Sequence, residues 1–161
     1  MRAPGCFLLL LSLVAAGCGP TADLAKTLQV QDVSTGWFDA GIVDGKAKLV
    51  PSITFKLRNG SDQHLAVLQV NALFRRVSEP NAEWGSAFIT AAGSEGAPAG
   101  ATIGPFTIRS DRGYTGTDQT RDEMLHNRQF VDAKVDLFAK YGSTQWTKIG
   151  EYTVERRLLV K

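Results

Sequence analysis

Between Leu65 and Val77 every even position from Ala66 to Phe74 is apolar, while Gln69, Asn71 and Arg75 lie opposite. A helix returns to one face every 3.6 residues and a strand every two, so this stretch reads as a long strand with one buried face. The same period runs through Leu49–Arg58, where Ile53, Phe55 and Leu57 oppose Thr54, Lys56 and Arg58. Asn59-Gly60-Ser61-Asp62 separates the two, and Asn-Gly is among the strongest hairpin signals. The sequence therefore predicts a hairpin here, with its second strand central. Strands that are wet on one face must bury the other, which confines the chain to packed sheets.

Weaker segments complete the pattern. Lys26–Ser34 sets Leu28 and Val30 against Gln29 and Gln31, Trp84–Ala92 alternates less cleanly, and Phe106 and Ile108 mark a short strand after a Gly, Ala and Pro-rich loop at 93–104. From Phe130 to Tyr141, Val131, Ala133, Val135, Leu137 and Ala139 oppose Asp132, Lys134, Asp136 and Lys140. A helix is the rival reading there, but the strict period and the valines favour a strand. Gly142-Ser143 turns the chain into Trp146–Leu159, whose parity changes across Gly150, as a bulge would produce. In the irregular stretch 110–129, Thr120 and Glu123 have the spacing of a capping box, which predicts a helical turn over Thr120–His126. About seven strands at these spacings describe an all-β fold of the β-sandwich type.

The amino terminus carries an address. Arg2 precedes an apolar run from Phe7 to Ala16, and Ala15, Ala16 and Gly17 lead into Cys18. That order is the layout of a cleaved signal peptide; a membrane-spanning anchor needs about 20 apolar residues, roughly twice what is present. Val14-Ala15-Ala16-Gly17-Cys18 resembles the lipobox of bacterial lipoproteins, with Ala15 where that family usually has Leu. The resemblance implies cleavage before Cys18, a diacylglycerol on its sulfur and, in many Gram-negative bacteria, a third chain on its amine. Two or three chains, at about 0.8 kcal/mol per buried methylene, make a stable anchor where one does not. Gly19 stands where an Asp would resemble the inner-membrane retention signal, so the expected destination is the outer membrane.

These readings divide the chain into a signal peptide at 1–17, a tether at 18–26 and a sandwich domain at 27–161. Removing residues 1–17 from 161 leaves 144, the size of one domain, and takes the formal charge from +2 to +1 with the loss of Arg2. Cys6 leaves with the leader, so the mature chain keeps no thiol for a disulfide once Cys18 is acylated. From Leu57 to Ile108 the chain resembles the immunoglobulin-like modules grouped as FxLYD and water-stress-type domains. The residues that carry the likeness are Asn59, Ser61 and Asp62, then Leu68, Val70 and Phe74, then Pro98, Gly100 and Phe106. Leu73-Phe74-Arg75-Arg76 departs from the family, whose strand ends in Tyr and Asp. The likeness implies an immunoglobulin-like β-sandwich and no activity.

Residues with catalytic chemistry are sparse. His64 and His126 are far apart in sequence and lack the clustered partners that a zinc site or a general base needs. Asp111, Asp118, Asp122 and Glu123 lack the fixed alternation of an EF-hand loop. Gly113-Tyr114-Thr115-Gly116 lacks the lysine of a phosphate loop, and no Gly-x-Ser-x-Gly appears. Arg75-Arg76 and Arg156-Arg157 are the only adjacent basic pairs, too few for nucleic acid. No catalytic residue, metal ligand or cofactor is therefore expected. Trp37 and Phe38, between Gly36 and Asp39, read either as a core plug, the commoner role of large aromatics, or as an exposed recognition spot. The expected function is non-catalytic: a lipid-anchored envelope lipoprotein that binds a protein partner or supports an assembly. Its candidate partner surface is Trp37, Phe38, Trp84, Asp111, Arg112, Tyr114 and Arg121. The alternative is a small-ligand-binding or hydrolytic envelope module, which needs a pocket with converging polar groups.

Overall fold

A computed structural model describes residues 21–159 and arranges them in two sheets. The expected leader and the Cys18 junction lie outside the described residues. In chain order the elements are α1 (Leu24–Thr27), β1 (Leu28–Val43), β2 (Lys46–Asn59), β3 (Leu68–Arg76), β4 (Gly85–Ala92) and β5 (Thr102–Arg109). They continue with β6 (Tyr114–Gly116), α2 (Arg121–His126), β7 (Ala133–Tyr141), β8 (Thr147–Thr153) and β9 (Leu158–Leu159). One sheet runs β5-β2-β1-β9 with β6 also on β2, and the other runs β4-β3-β7-β8. All pairs are antiparallel except β9, which lies parallel to β1. The fold is all-β, as expected; the described residues hold nine strands where about seven were expected, β6 and β9 being three and two residues long.

Alternation decides the core. Leu68, Val70, Ala72 and Phe74 are fully buried on β3, and Val135, Leu137 and Ala139 on β7 continue that inner face. Ile53, Phe55 and Leu57 on β2 are equally buried and join them in one apolar cluster. Each Val, Leu, Ile or Phe among them contributes about 1.5–3 kcal/mol by leaving water, so a one-residue slip in any of these strands is strongly opposed. The stretch 130–141 is accordingly a strand from Ala133 onward, not a helix.

One of the expected turns differs. Asn59-Gly60 does not close a hairpin: β2 and β3 belong to different sheets, and the chain crosses between them there. The Asn59 side chain is occupied with the crossover itself. Its amide donates to the carbonyls of Gln63 (2.8 Å), Ala97 (2.9 Å) and Pro98 (3.1 Å). Its carbonyl oxygen accepts from the Ser61 backbone N–H (3.0 Å) and hydroxyl (2.7 Å). The residue is 1% exposed, so a polar knot replaces the hairpin. The long hairpin instead turns at Asp44-Gly45, with φ of 51° and 74°, the doubly left-handed geometry of a type I′ turn. A register shift between Gln31 and Ser34 breaks the alternation of β1, with Asp32 at φ 51°, which is why the sequence pattern stops at Ser34 while the strand continues to Val43.

The last segment also divides. β8 ends at Thr153, and the chain crosses to place β9 beside Trp37 and Phe38 in the other sheet. The expected bulge is present: the register passes from Leu137↔Gly150 to Phe138↔Lys148 and leaves Ile149 unpaired. At the start, Leu24 is 3% exposed and the Ala22 N–H donates to the Tyr141 hydroxyl at 2.7 Å. Ala22 and Leu24, within the stretch expected to be a tether, therefore pack against the body, while Asp23, Ala25 and Lys26 are exposed.

Candidate functional site

Strand direction gives the sandwich two distinct ends. α1, the Asn59 crossover and the β7–β8 turn lie at one; the Asp44-Gly45 hairpin, β6, α2 and Phe130 lie at the other. The candidate surface residues all fall toward the hairpin end, but they do not form one surface.

Trp37 is fully buried, so its place in a partner surface is corrected: it is the core plug. Its ring meets Phe130 edge-on at 4.5 Å and Trp84 at 6.1 Å, and Tyr114 meets Phe130 at 4.8 Å. Four elements distant in sequence thus close this end with aromatic rings, an arrangement worth about 0.5–1.5 kcal/mol per pair beyond burial. Trp84 is half-buried under the Arg76 guanidinium at 5.4 Å, and Tyr114 is half-buried. Phe38 points to the other face of its sheet and is covered by Arg109 at 3.5 Å. Arg121 is pinned: its Nε lies 3.0 Å from Asp39 Oδ2, tying the start of α2 to β1.

Asp111 and Arg112 are exposed, as a partner surface requires. Asp111 also has a structural duty, since its Oδ1 accepts the Ser86 N–H at 2.9 Å and its carbonyl accepts Lys48 Nζ at 3.3 Å. Arg112, 71% exposed, reaches Asp111 only at 4.0 Å and is available to a ligand or partner.

The stretch 110–129 is not a free arm. β6 zips onto β2 with Tyr114 opposite Leu49, and α2 buries Met124 and Leu125. The expected capping box is formed: the Glu123 N–H donates to Thr120 Oγ1 at 3.2 Å, and the Thr120 N–H donates to Glu123 Oε2 at 2.7 Å. The Thr120 backbone N–H, followed by its hydroxyl, holds the Glu123 carboxyl below the usual range.

The sequence reading missed the hairpin tip. Ile42 is 64% exposed and Val43 39%, and a groove opens on each side of them. One, of about 390 Å³, is lined by Val43, Asp44, Lys46, Lys48, Arg112, Gly113 and Thr115, so three cations face one carboxylate. The other, of about 470 Å³, runs between Ile42 and the start of α2. The Asp44-Gly45 dipeptide, flanked by Ile-Val and by Lys, was the available signal.

Elsewhere the charges are organised rather than free. On the outer face of the second sheet Asp136, 4% exposed, lies between Arg75 Nε (3.0 Å) and Lys148 Nζ (2.9 Å). Glu151 extends the ladder to Lys148 (2.6 Å) and Lys134 (3.2 Å), and the hydrogen bond from Lys148 leads in lowering its carboxyl to about 2. Asp132 is held below its ordinary value by the Arg156 hydrogen bonds, at 2.6 and 3.0 Å. His64 and His126 are exposed, and among the described residues no three His, Cys, Asp or Glu stand close enough to share a metal ion. No helix among them is long and apolar enough to cross a membrane. The chain matches no family model, no curated protein and no solved structure, so any functional reading rests on its own residues.

Proposed function

We propose that this chain is a bacterial envelope lipoprotein, cleaved before Cys18, acylated there and directed to the outer membrane, whose body docks a protein partner without catalysis. The observation that carries the reading is polarity of the body. The chain leaves toward Cys18 from the α1 end, while the apolar tip Ile42-Val43 and the basic groove of Lys46, Lys48 and Arg112 stand at the opposite end. A domain fastened by its amino terminus would therefore hold its hairpin away from the bilayer, where a partner can reach it. Arginine is enriched at interfaces and in binding hot spots, and Arg112, whose nearest carboxylate is Asp111 at 4.0 Å, stands beside the exposed apolar tip.

The body is read as an immunoglobulin-like sandwich. Lettering the long strands in chain order as A, B, C, C′, E, F and G gives sheets E-B-A and C′-C-F-G, and a C′-C-F-G sheet recurs in that fold. The Asn59 knot also joins Asn59 and Ser61 to Pro98, three of the nine residues on which the sequence resemblance rests.

Intact-mass measurement of protein made in a bacterial host tests the anchor: residues 1–17 should be gone and acyl mass added, and Cys18→Ser should release the protein to the soluble fraction. Retention of Met1, or unchanged fractionation of Cys18→Ser, defeats the reading. For the partner surface, Ile42→Ser with Arg112→Glu should abolish a cross-linked complex that the wild type forms. The small-ligand alternative has one observation in its favour, the three cations of the 390 Å³ groove, and saturable binding of inorganic phosphate lost in Arg112→Glu would support it.

A further inference from the structure

The end of the body nearest Cys18 is also equipped for a surface of its own. Trp146 is 41% exposed and Val67 is 41% exposed, although both belong to residue types that are usually covered. Both stand at the β7–β8 end of the body: the Gly142 N–H points at the carbonyls of Ala66 (3.1 Å) and Val67 (3.3 Å), and Trp146 lies just beyond that turn in sequence. Lys140 Nζ sits 5.0 Å from the Trp146 ring centroid. Val67 has φ of 51°, a left-handed conformation that a β-branched residue adopts only under constraint, and its N–H is held by the Gly93 carbonyl at 2.8 Å. The backbone thus holds an apolar side chain outward at a cost in local conformation.

Chain length says what lies beside this patch. The Ala22 N–H is bonded to the hydroxyl of Tyr141, the residue next to Gly142, so the described body begins one tyrosine side chain from the β7–β8 turn. Cys18 precedes Ala22 by four peptide steps, which span at most about 14 Å when fully extended. An acylated sulfur lies at the base of the headgroup layer, and each such layer is only about 6 Å thick. Ala22 is therefore held within about 8 Å of the headgroup surface, and the β7–β8 turn, one Tyr141 side chain away, is within reach of it. An exposed indole with an ammonium over its ring suits that zone, because amphipathic aromatics collect at the headgroup level while lysine heads reach for water and phosphate.

We infer that Trp146, Val67 and Lys140 form a membrane-facing foot that seats the sandwich on the lipid headgroups, fixing its orientation as well as its distance. The inference rests on acylation at Cys18. Its test uses full-length acylated protein in phosphatidylethanolamine and phosphatidylglycerol vesicles doped with a dibrominated phosphatidylcholine, which quenches indoles at the acyl boundary. Trp37 is enclosed and Trp84 lies at the far end, so the quenched emission should belong to Trp146 and disappear in Trp146→Phe. A Gly-Ser spacer of twelve residues inserted after Gly19, together with Val67→Ser, should reduce the quenching.

Intact mass of the same preparation separates the failures. Absence of acyl mass removes the lipoprotein reading and this inference with it. Acylated protein whose emission ignores the bromolipid leaves the lipoprotein reading standing and overturns the foot. Trp146 emission shielded from both bromolipid and aqueous iodide would mean that protein covers the patch, and likewise overturns it.

Discussion

Asn59→Ala offers the most direct measure of what holds the two sheets in their relation. The side chain is 1% exposed and joins the crossover after β2 to the loop before β5. Its two amide hydrogens serve three carbonyls, so one bond is shared, and its oxygen accepts two more. Truncation removes about four effective hydrogen bonds at about 1 kcal/mol net each. Some of this is recovered. Ser61 and Gln63 are only half-buried and can turn to water, and the Ala97 carbonyl keeps the Leu65 N–H at 3.0 Å. The expected loss is therefore about 3 kcal/mol. For a domain of this size that lowers Tm by roughly 10 °C. Urea unfolding followed by circular dichroism should show a lower midpoint with an unchanged m-value. Asn59→Asp is the sharper companion, because it preserves shape but turns a carboxylate toward three carbonyl oxygens. It should be at least as damaging at neutral pH and recover in part once the new carboxyl is protonated. An Asn59→Ala protein within about 0.5 kcal/mol of wild type would refute the argument, since that is the range of an ordinary surface change.

Trp37→Ala should cost about 4 kcal/mol and be read as loss of folded protein in thermal melts, because the ring is enclosed by Trp84 and Phe130. Thr120→Ala removes the cap of α2 and should cost about 1 kcal/mol in the same melts. Glu151 is lowered from 4.5 to about 2 in the folded chain, so the stability it contributes is complete above 4.5 and is lost as pH falls from there toward 2. Acid titration of Glu151→Gln should accordingly show a shallower fall across that window, and an unchanged curve would mean that the ladder of Lys148, Lys134 and Asp136 is not coupled to folding. Ile42→Ser, at an exposed tip, should leave the melting temperature within experimental scatter, and a large drop would show that the tip is structural.

The chain's alternation was enough to identify β3, β7 and the inner face of β2, because period two is a local property and every even residue of β3 from Leu68 to Phe74 needs the same burial. Local chemistry likewise specified the Thr120–Glu123 cap and the bulge beside Gly150. Which strand pairs with which is not local. Asn59-Gly60 has hairpin composition, yet the Asn59 amide finds carbonyls 38 and 39 positions away that no window of sequence contains. Trp37 has the composition of either a plug or a contact, and only the arrival of Phe130 and Trp84 from other elements buries it. Burial is a property of the assembled sheets, so tertiary structure moved the candidate surface from the aromatics to the Ile42-Val43 hairpin. It also left Trp146 and Val67 uncovered at the end of the body from which the chain departs toward Cys18, an arrangement that depends on folding distance rather than on sequence distance.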